Sequence, residues 1–455
     1  MTSKQHTILA FLLISSLLSF FRIDIPPMTK AEESFSLHWG ILSIFGTLPI
    51  NSDSWGAFAD QAPYLSLGET PFVNPPLPMW GMVAWSKLMG ETLPSTRFLS
   101  CILAMCSLIS LYFIGKKLGK SEYAMYASGF LAGSLIWNDT ARHASPEIWG
   151  ITFLLTSLAL SFGILNLHEI KLSRSFLIAC LLLISSTALT LSSFTNIVIF
   201  SGIVLLLLPL YKPSKMHIAF LVSPIILGLI VGYAWFLNMD LPYASQIVDT
   251  LQQVRYIPTS SDIQTMLIDF SLLPFFLIGM FAGIQSIIKK EKNQAAFVLA
   301  ISWFVLSYVG SGFTSTILPS FILIALQGVN SFDAVISSIK VKWIFISISF
   351  FMAAFGIAPR LLEGLLQFVV NQQFSMYGII PILGIIGILI TIFLKEEKLR
   401  TLVYNAMARI ILALVIAAMI KVAFANLLGK TRITKDALVY SQNNVIQYYS
   451  IRETI

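Results

Sequence analysis

The chain has 455 residues, 56% of them hydrophobic and 11% charged, with a net charge of +7 and a mean hydropathy of +0.81. Soluble domains carry about 25% charged residues, so this composition excludes a soluble globular protein and predicts an integral membrane protein. The positive charge does not mark a nucleic-acid binder, because the basic residues fall in short clusters between apolar runs. These clusters are Lys116-Lys117, Lys171 with Arg174, Lys212 with Lys215, Lys289-Lys290, Lys340 with Lys342, and the stretch 395–400; such spacing is a topology signal.

In chain order, Lys4 precedes an apolar run at 7–21, and Arg22, Asp24 and Pro26-Pro27 follow it directly. Without a small-residue cleavage site, this run reads as an uncleaved first helix that starts in the cytoplasm. The interval 24–96 is then a large first outer loop, containing stretches such as 35–45 suited to lie on the membrane as interfacial helices. From there the hydropathy predicts spans near 97–115, 122–138, 147–166, 175–191, 195–211, 217–237, 264–288, 294–310, 316–332, 342–358, 376–394 and 409–427. With the first helix these make about thirteen, each near the length that crosses a bilayer.

The expected fold is therefore an all-α polytopic membrane protein with a cytoplasmic N-terminus and an outer C-terminus. One transmembrane domain occupies 1–428, and a short tail, 429–455, lies outside. Charge checks this reading independently. With the N-terminus inside, alternation places every basic cluster on the cytoplasmic side, and Glu32, Glu33, Asp53, Asp60, Glu69, Asp139, Glu147, Asp240, Asp249 and Asp262 on the other. The larger outer loops, 24–96, 238–263 and 359–375, are where substrate contacts are expected. Cys101, Cys106 and Cys180 all fall inside predicted spans and read as small buried apolar residues, with neither disulfide nor metal spacing.

Chemistry is expected on the acidic face. Glu32-Glu33 are adjacent carboxylates beside a membrane surface; mutual repulsion and partial desolvation raise the pKa of at least one, which suits a general base acting on a hydroxyl. A solvated acidic pair at the start of an interfacial helix has the same residue types. Glu147 follows Ser145 and Pro146, the pattern of an N-cap, a first-turn proline and a first-turn acid, and it shares the membrane face of Glu32 and Glu33. Asn74-Pro75-Pro76-Leu77-Pro78 is stiff, because proline fixes its own φ and keeps the preceding residue out of the helical region. This predicts a rigid extended lead-in that shapes the loop. Arg97, Arg142, His143, Arg255, Arg360 and the intramembrane Lys421 are the candidates to hold a phosphate. Soluble-enzyme patterns are absent: there is no phosphate-binding glycine loop, no H-E-x-x-H and no G-x-S-x-G.

Several of these stretches resemble one family. Glu32-Glu33-Ser34-Phe35 resembles the D-E-x-Y element of GT-C membrane glycosyltransferases, which include the protein O-mannosyltransferases and the lipid A aminoarabinose transferases. FVNPPLPMW at 72–80 is similar to their K-P-P-L-x-Y-W element, and GETLPSTRFLS at 90–100 to the following G-x-x-x-x-x-R-L-x-S. The stretch 139–147 corresponds to a second acidic position opening a helix. The resemblance covers about residues 25–165. It departs at Glu32, where the family has Asp, at Asn74, where many members have Lys, and at 311–319, which lacks the basic residue of a later element.

The resemblance implies an inverting sugar transfer from a polyprenyl-phosphate-linked donor to a hydroxyl of a protein, lipid or glycan, on the outer face of a bacterial cytoplasmic membrane. Glu32 takes the place of the catalytic acid, Glu33 its neighbour, and Glu147 the second acidic position. No metal site is assigned, although outer carboxylates offer oxygen ligands to a divalent cation. Two rivals remain: a transporter or flippase of lipid-linked sugars, and a GT-C relative that binds lipid or partner proteins without catalysis.

Overall fold

The computed structural model describes residue 20, residues 76–90, 92–118, 127–129, 131–132, 135–166, 172–237, 273–289 and 294–310, and positions 317, 319, 320, 322–324 and 327. The elements in this part are helices. They are α1 (Pro76–Met89), α2 (Leu93–Lys117), α3 (Leu135–Arg142), α4 (Pro146–Leu165), α5 (Leu172–Ser192), α6 (Phe194–Tyr211), α7 (Lys215–Leu237), α8 (Leu273–Ile288) and α9 (Gln294–Gly310). Stretches Pro94–Lys117, Pro146–Leu165, Ser173–Ser192 and Lys215–Gly232 are long and apolar enough to cross a membrane. The expected first helix (residue 20 apart), the spans at 342–358, 376–394 and 409–427, and the tail 429–455 lie outside the described residues.

Local chemistry sets the helix ends. Thr92 caps α2, its hydroxyl accepting from the Ser95 N–H at 3.4 Å, and Pro94 follows inside the first turn, where no N–H is needed. Ser193 alone separates α5 from α6 and caps α6 by accepting from the Asn196 N–H at 3.3 Å. Lys212 closes α6 in the left-handed conformation, with φ 44°.

Hydroxyl pairs give the register between helices. Ser107 meets Thr152 at 2.9 Å and Ser110 meets Thr156 at 3.2 Å; both numbers rise together, so α2 and α4 run parallel. Ser157 meets Ser185 at 2.8 Å and Gly163 lies beside Ile178, so α4 and α5 are antiparallel. Helices α5 and α7 are parallel again: the Ser186 hydroxyl donates to the Pro224 carbonyl at 2.9 Å, Gly228 faces Ser186, and Gly232 faces Thr190. The G-x-x-x-G spacing of Gly228 and Gly232 lets the two backbones approach closely, as small residues do between membrane helices.

Helix α4 sits at the centre. Two thirds of its span is buried, against one third for α7, and Leu154, Leu158 and Phe162 are sealed among Leu182, Phe200, Ile203 and Trp303. The exposed faces of α5 and α7 carry Leu177, Leu181, Ile184, Ile226, Leu227 and Ile230, a surface that suits lipid.

These directions give the bundle two unlike ends. Lys116, Lys117, Arg174, Lys212 and Lys215 collect at one end, all exposed. At the other lie Arg97, Arg142, His143, Glu147 and the α5–α6 turn. Asp139 and Glu147 are the only acids among the described residues, and both belong to this second end. Phe20 reaches it too, its ring 4.8 Å from that of Phe98.

Three local expectations change. The prolines at 76 and 78 are not an extended lead-in: both lie in the first turn of α1, where the missing N–H groups would be unpaired in any case. The interval expected as loop up to 96 therefore holds a helix whose Met79 and Met82 are fully buried. The span expected to stop at 138 continues as α3 to Arg142, and only 143–145 break the helix before Pro146. Of the cysteines, Cys101 is buried, Cys106 is exposed on the apolar surface and Cys180 is half-buried.

Candidate functional site

The second end is built from α2, α3 and the start of α4. Arg97 lies in the second turn of α2 and is fully buried; Cys101 is one turn further on. The Cys101 thiol donates to the Ala141 carbonyl of α3 at 3.3 Å, which ties the two helices together where α3 ends. Arg142 is the next residue, 2% exposed, and His143 is also buried. Arg97 stands one turn before Cys101 and Arg142 directly after Ala141, so the hydrogen bond from Cys101 to Ala141 brings two buried arginines, 45 positions apart in sequence, to the same end of the bundle. Both arginines and His143 are engaged in interactions, as a buried guanidinium must be.

Pro146 forces the break that follows, because the residue before proline avoids the helical region. Ser145 stands at the N-cap of α4 as its position predicts, with φ −136° and ψ 150°, but its hydroxyl makes no capping bond. Glu147 in the first turn is thus the group that complements the positive end of the helix. It is half-buried.

Residues 149 and 150 lock this corner to its neighbours. The Trp149 indole lies over Gly81 of α1, where any Cβ would overlap the ring, and Gly150 faces the α5–α6 turn. A Cβ at Gly150 would stand 2.7 Å from Asn196 Nδ2 and 2.9 Å from Ser193 Cβ. Nearby, Trp85 of α1 donates its indole N–H to the Ser95 carbonyl at 2.8 Å, fixing α1 against α2.

Of the residues that the sequence singles out, Arg97, Arg142 and His143 are all buried at this end, Glu147 opens the next helix, and Pro76 opens α1. Glu32, Glu33, Asn74, Pro75, Arg255, Arg360 and Lys421 lie outside the described residues. Trp149 and Asn196 escape sequence reasoning because each sits in an apolar run and reads as helix filler. The signal that would have flagged them is a glycine beside each contact, Gly81 and Gly150. Among the described residues no three His, Cys, Asp or Glu side chains gather to hold a metal.

Comparison with known proteins bears on this arrangement. Residues 73–236, from the edge of α1 through α7, match the family model described as dolichyl-phosphate-mannose-protein mannosyltransferase. ArnT from Cupriavidus metallidurans, in the apo state, matches with TM-score 0.58 at 13% identity, over 98% of this chain and 78% of that one. The fold is that of the GT-C membrane glycosyltransferases. Among other GT-C structures, ArnT bound to undecaprenyl phosphate matches with TM-score 0.50 at 13% identity, over 97% of this chain and 78% of that one. The oligosaccharyltransferase AglB from Archaeoglobus fulgidus, in complex with an inhibitory peptide and a dolichol-phosphate, matches with TM-score 0.51 at 10% identity over 98% of this chain. The chain spans 60% of that archaeal protein's length. No curated protein matches the sequence.

Proposed function

We propose that this protein transfers a sugar from a polyprenyl-phosphate-linked donor to a hydroxyl acceptor, with inversion at the anomeric carbon. The observation that carries the proposal is the burial of Arg97, Arg142 and His143, with Glu147 opening the next helix, at the end of a GT-C fold opposite the exposed cluster Lys116, Lys117, Arg174, Lys212 and Lys215. The exposed cluster of Lys116, Lys117, Arg174, Lys212 and Lys215 marks the cytoplasmic side, which assigns the reaction to the outer face of a bacterial cytoplasmic membrane. The structures of similar fold that hold undecaprenyl phosphate or dolichol-phosphate support a lipid-phosphate carrier. An archaeal structure of similar fold that is tethered with an acceptor peptide supports an acceptor molecule distinct from the lipid carrier.

The chemistry is a single displacement. Glu32 takes the proton of the acceptor hydroxyl, the oxygen attacks the anomeric carbon, and the bond from that carbon to the phosphate oxygen breaks. Polyprenyl phosphate departs with the electron pair, its negative charge held by fixed cations in a site poor in water. Arg97 and Arg142 are the described residues suited to that task, since a guanidinium binds phosphate bidentately. Glu33 and Glu147 complete the acidic set. Arg255, Arg360 and Lys421 are further candidates for the phosphate, and Asn74 and Pro75 for shaping the loop beside it.

The test is sugar transfer in membranes supplied with polyprenyl-phosphate sugars, comparing wild type with Glu32→Gln. Loss of transfer by about 100-fold or more, with insertion unchanged, is expected. Equal rates would remove Glu32 as the base. Absence of wild-type transfer with every donor and acceptor offered would favour a relative that binds lipid without catalysis, the reading that the departures at Glu32 and Asn74 support.

A further inference from the structure

Several buried polar atoms without a hydrogen-bond partner lie at the Glu147 end. Among the described residues these include Ser95 Oγ, Ser100 Oγ, Ser145 Oγ, Trp149 Nε1, Ser192 Oγ and Asn196 Oδ1, whereas Ser175 Oγ and His217 Nε2 lie at the lysine end and Trp303 Nε1 and Gln327 Oε1 elsewhere. Serine hydroxyls rotate and find a carbonyl of the preceding turn at little cost, so they decide nothing by themselves. Trp149 and Asn196 are different. Their side chains are 7% and 5% exposed, and an indole N–H has no rotor with which to seek another acceptor. A donor and an acceptor left unpaired where water is scarce are each costly.

They lie on adjoining positions of the fold, linked through Gly150. Trp149 and Gly150 are consecutive residues in the second turn of α4, and the Asn196 carboxamide abuts Gly150. Ser192, itself 2% exposed, lies one turn before Asn196 across the Ser193 bend. Glu147 stands just above, at the helix start. The combination of one fixed donor and one acceptor is what a pair of ring hydroxyls would satisfy.

We propose that Trp149 and Asn196, flanked by Ser192, form a hydroxyl-recognising subsite for the sugar that the lipid phosphate carries. A ring hydroxyl accepts from the indole N–H, and a second donates to the Asn196 carboxamide oxygen. This rests on the glycosyl-transfer reading above, and it adds that sugar selectivity resides in the α4 and α5–α6 corner.

The experiment measures binding rather than turnover. The full-length protein in nanodiscs is titrated with radiolabelled polyprenyl phosphate alone, and with the same lipid phosphate carrying mannose, glucose or aminoarabinose. Wild type should bind one sugar-bearing lipid at least about tenfold more tightly than the bare lipid phosphate. Trp149→Phe and Asn196→Leu should each lower that preference by about tenfold, one hydrogen bond's worth, with the affinity for bare polyprenyl phosphate unchanged. Unaltered affinity for the bare lipid also certifies the fold. Trp149→Phe keeps an aromatic ring over Gly81 and decides the matter if Asn196→Leu does not insert.

A wild-type preference that both variants retain overturns the subsite, leaves the transfer reading standing, and assigns the two atoms to buried water. No preference for any of the sugars also overturns it. Failure of wild type to bind any lipid phosphate sinks the transfer reading and the subsite with it.

Discussion

Glu147→Gln separates a structural acid from one that serves the reaction. Gln keeps the size of the side chain and removes a single negative charge at the second position of α4. The structural contribution of that charge can be bounded. Ser145 makes no capping bond and Glu147 is the only acid in the first turn, so its removal leaves the helix dipole uncompensated, at a cost of about 0.3–1 kcal/mol. This corresponds to a fall of no more than about 2–4 °C in thermal stability. A carboxylate that orients or deprotonates a substrate contributes more, about 100-fold or greater in rate, which is about 2.7 kcal/mol. The two roles are therefore separated by a clear margin. The assay pairs thermal unfolding in detergent with initial rates of sugar transfer at saturating donor. We expect a small thermal shift and a rate loss of about 100-fold. Transfer within about threefold of wild type would refute the argument and leave Glu147 as a helix-end charge only.

Two further outcomes test the fold. Gly232→Leu drives a side chain into Thr190, where even a Cβ overlaps, so α5 and α7 must separate; we expect a loss of about 1–3 kcal/mol, read as lower thermal stability, whereas Val231→Leu on the exposed face of α7 should be silent. Lys212→Cys, introduced where the residue is exposed at the lysine end, should react with a membrane-impermeant maleimide in inverted vesicles and not in intact cells, and the reverse pattern would turn the proposed site to the cytoplasm.

Much of the architecture is legible because hydropathy and charge act locally. Apolar runs must close their own backbone hydrogen bonds in lipid, so the helices at 93–117, 146–165 and 172–237 follow from composition with small errors at their ends. The errors have reasons. The stiffness of Pro76 and Pro78 predicts an extended lead-in, yet the first turn of a helix tolerates both; α3 runs past its expected end because Arg142 and Asn138 are buried by neighbours, which no hydropathy window records. Arg97, Arg142, His143 and Glu147 stand out by charge on a sparsely charged face, and the first three of them are buried.

What the sequence by itself determined is the membrane-spanning helical class, the segregation of basic and acidic residues, and the short list of ionisable residues available for chemistry. These depend on the transfer of single segments between water and lipid. Tertiary structure alone decided that α4 is the central helix, that α2 pairs with it in parallel, and that Trp149 packs on Gly81 while Asn196 packs on Gly150. Such pairings depend on which small residues let two backbones approach, as at Gly81, Gly150, Gly228 and Gly232. Close packing is a property of both surfaces at once, and one strand of sequence specifies only one of them.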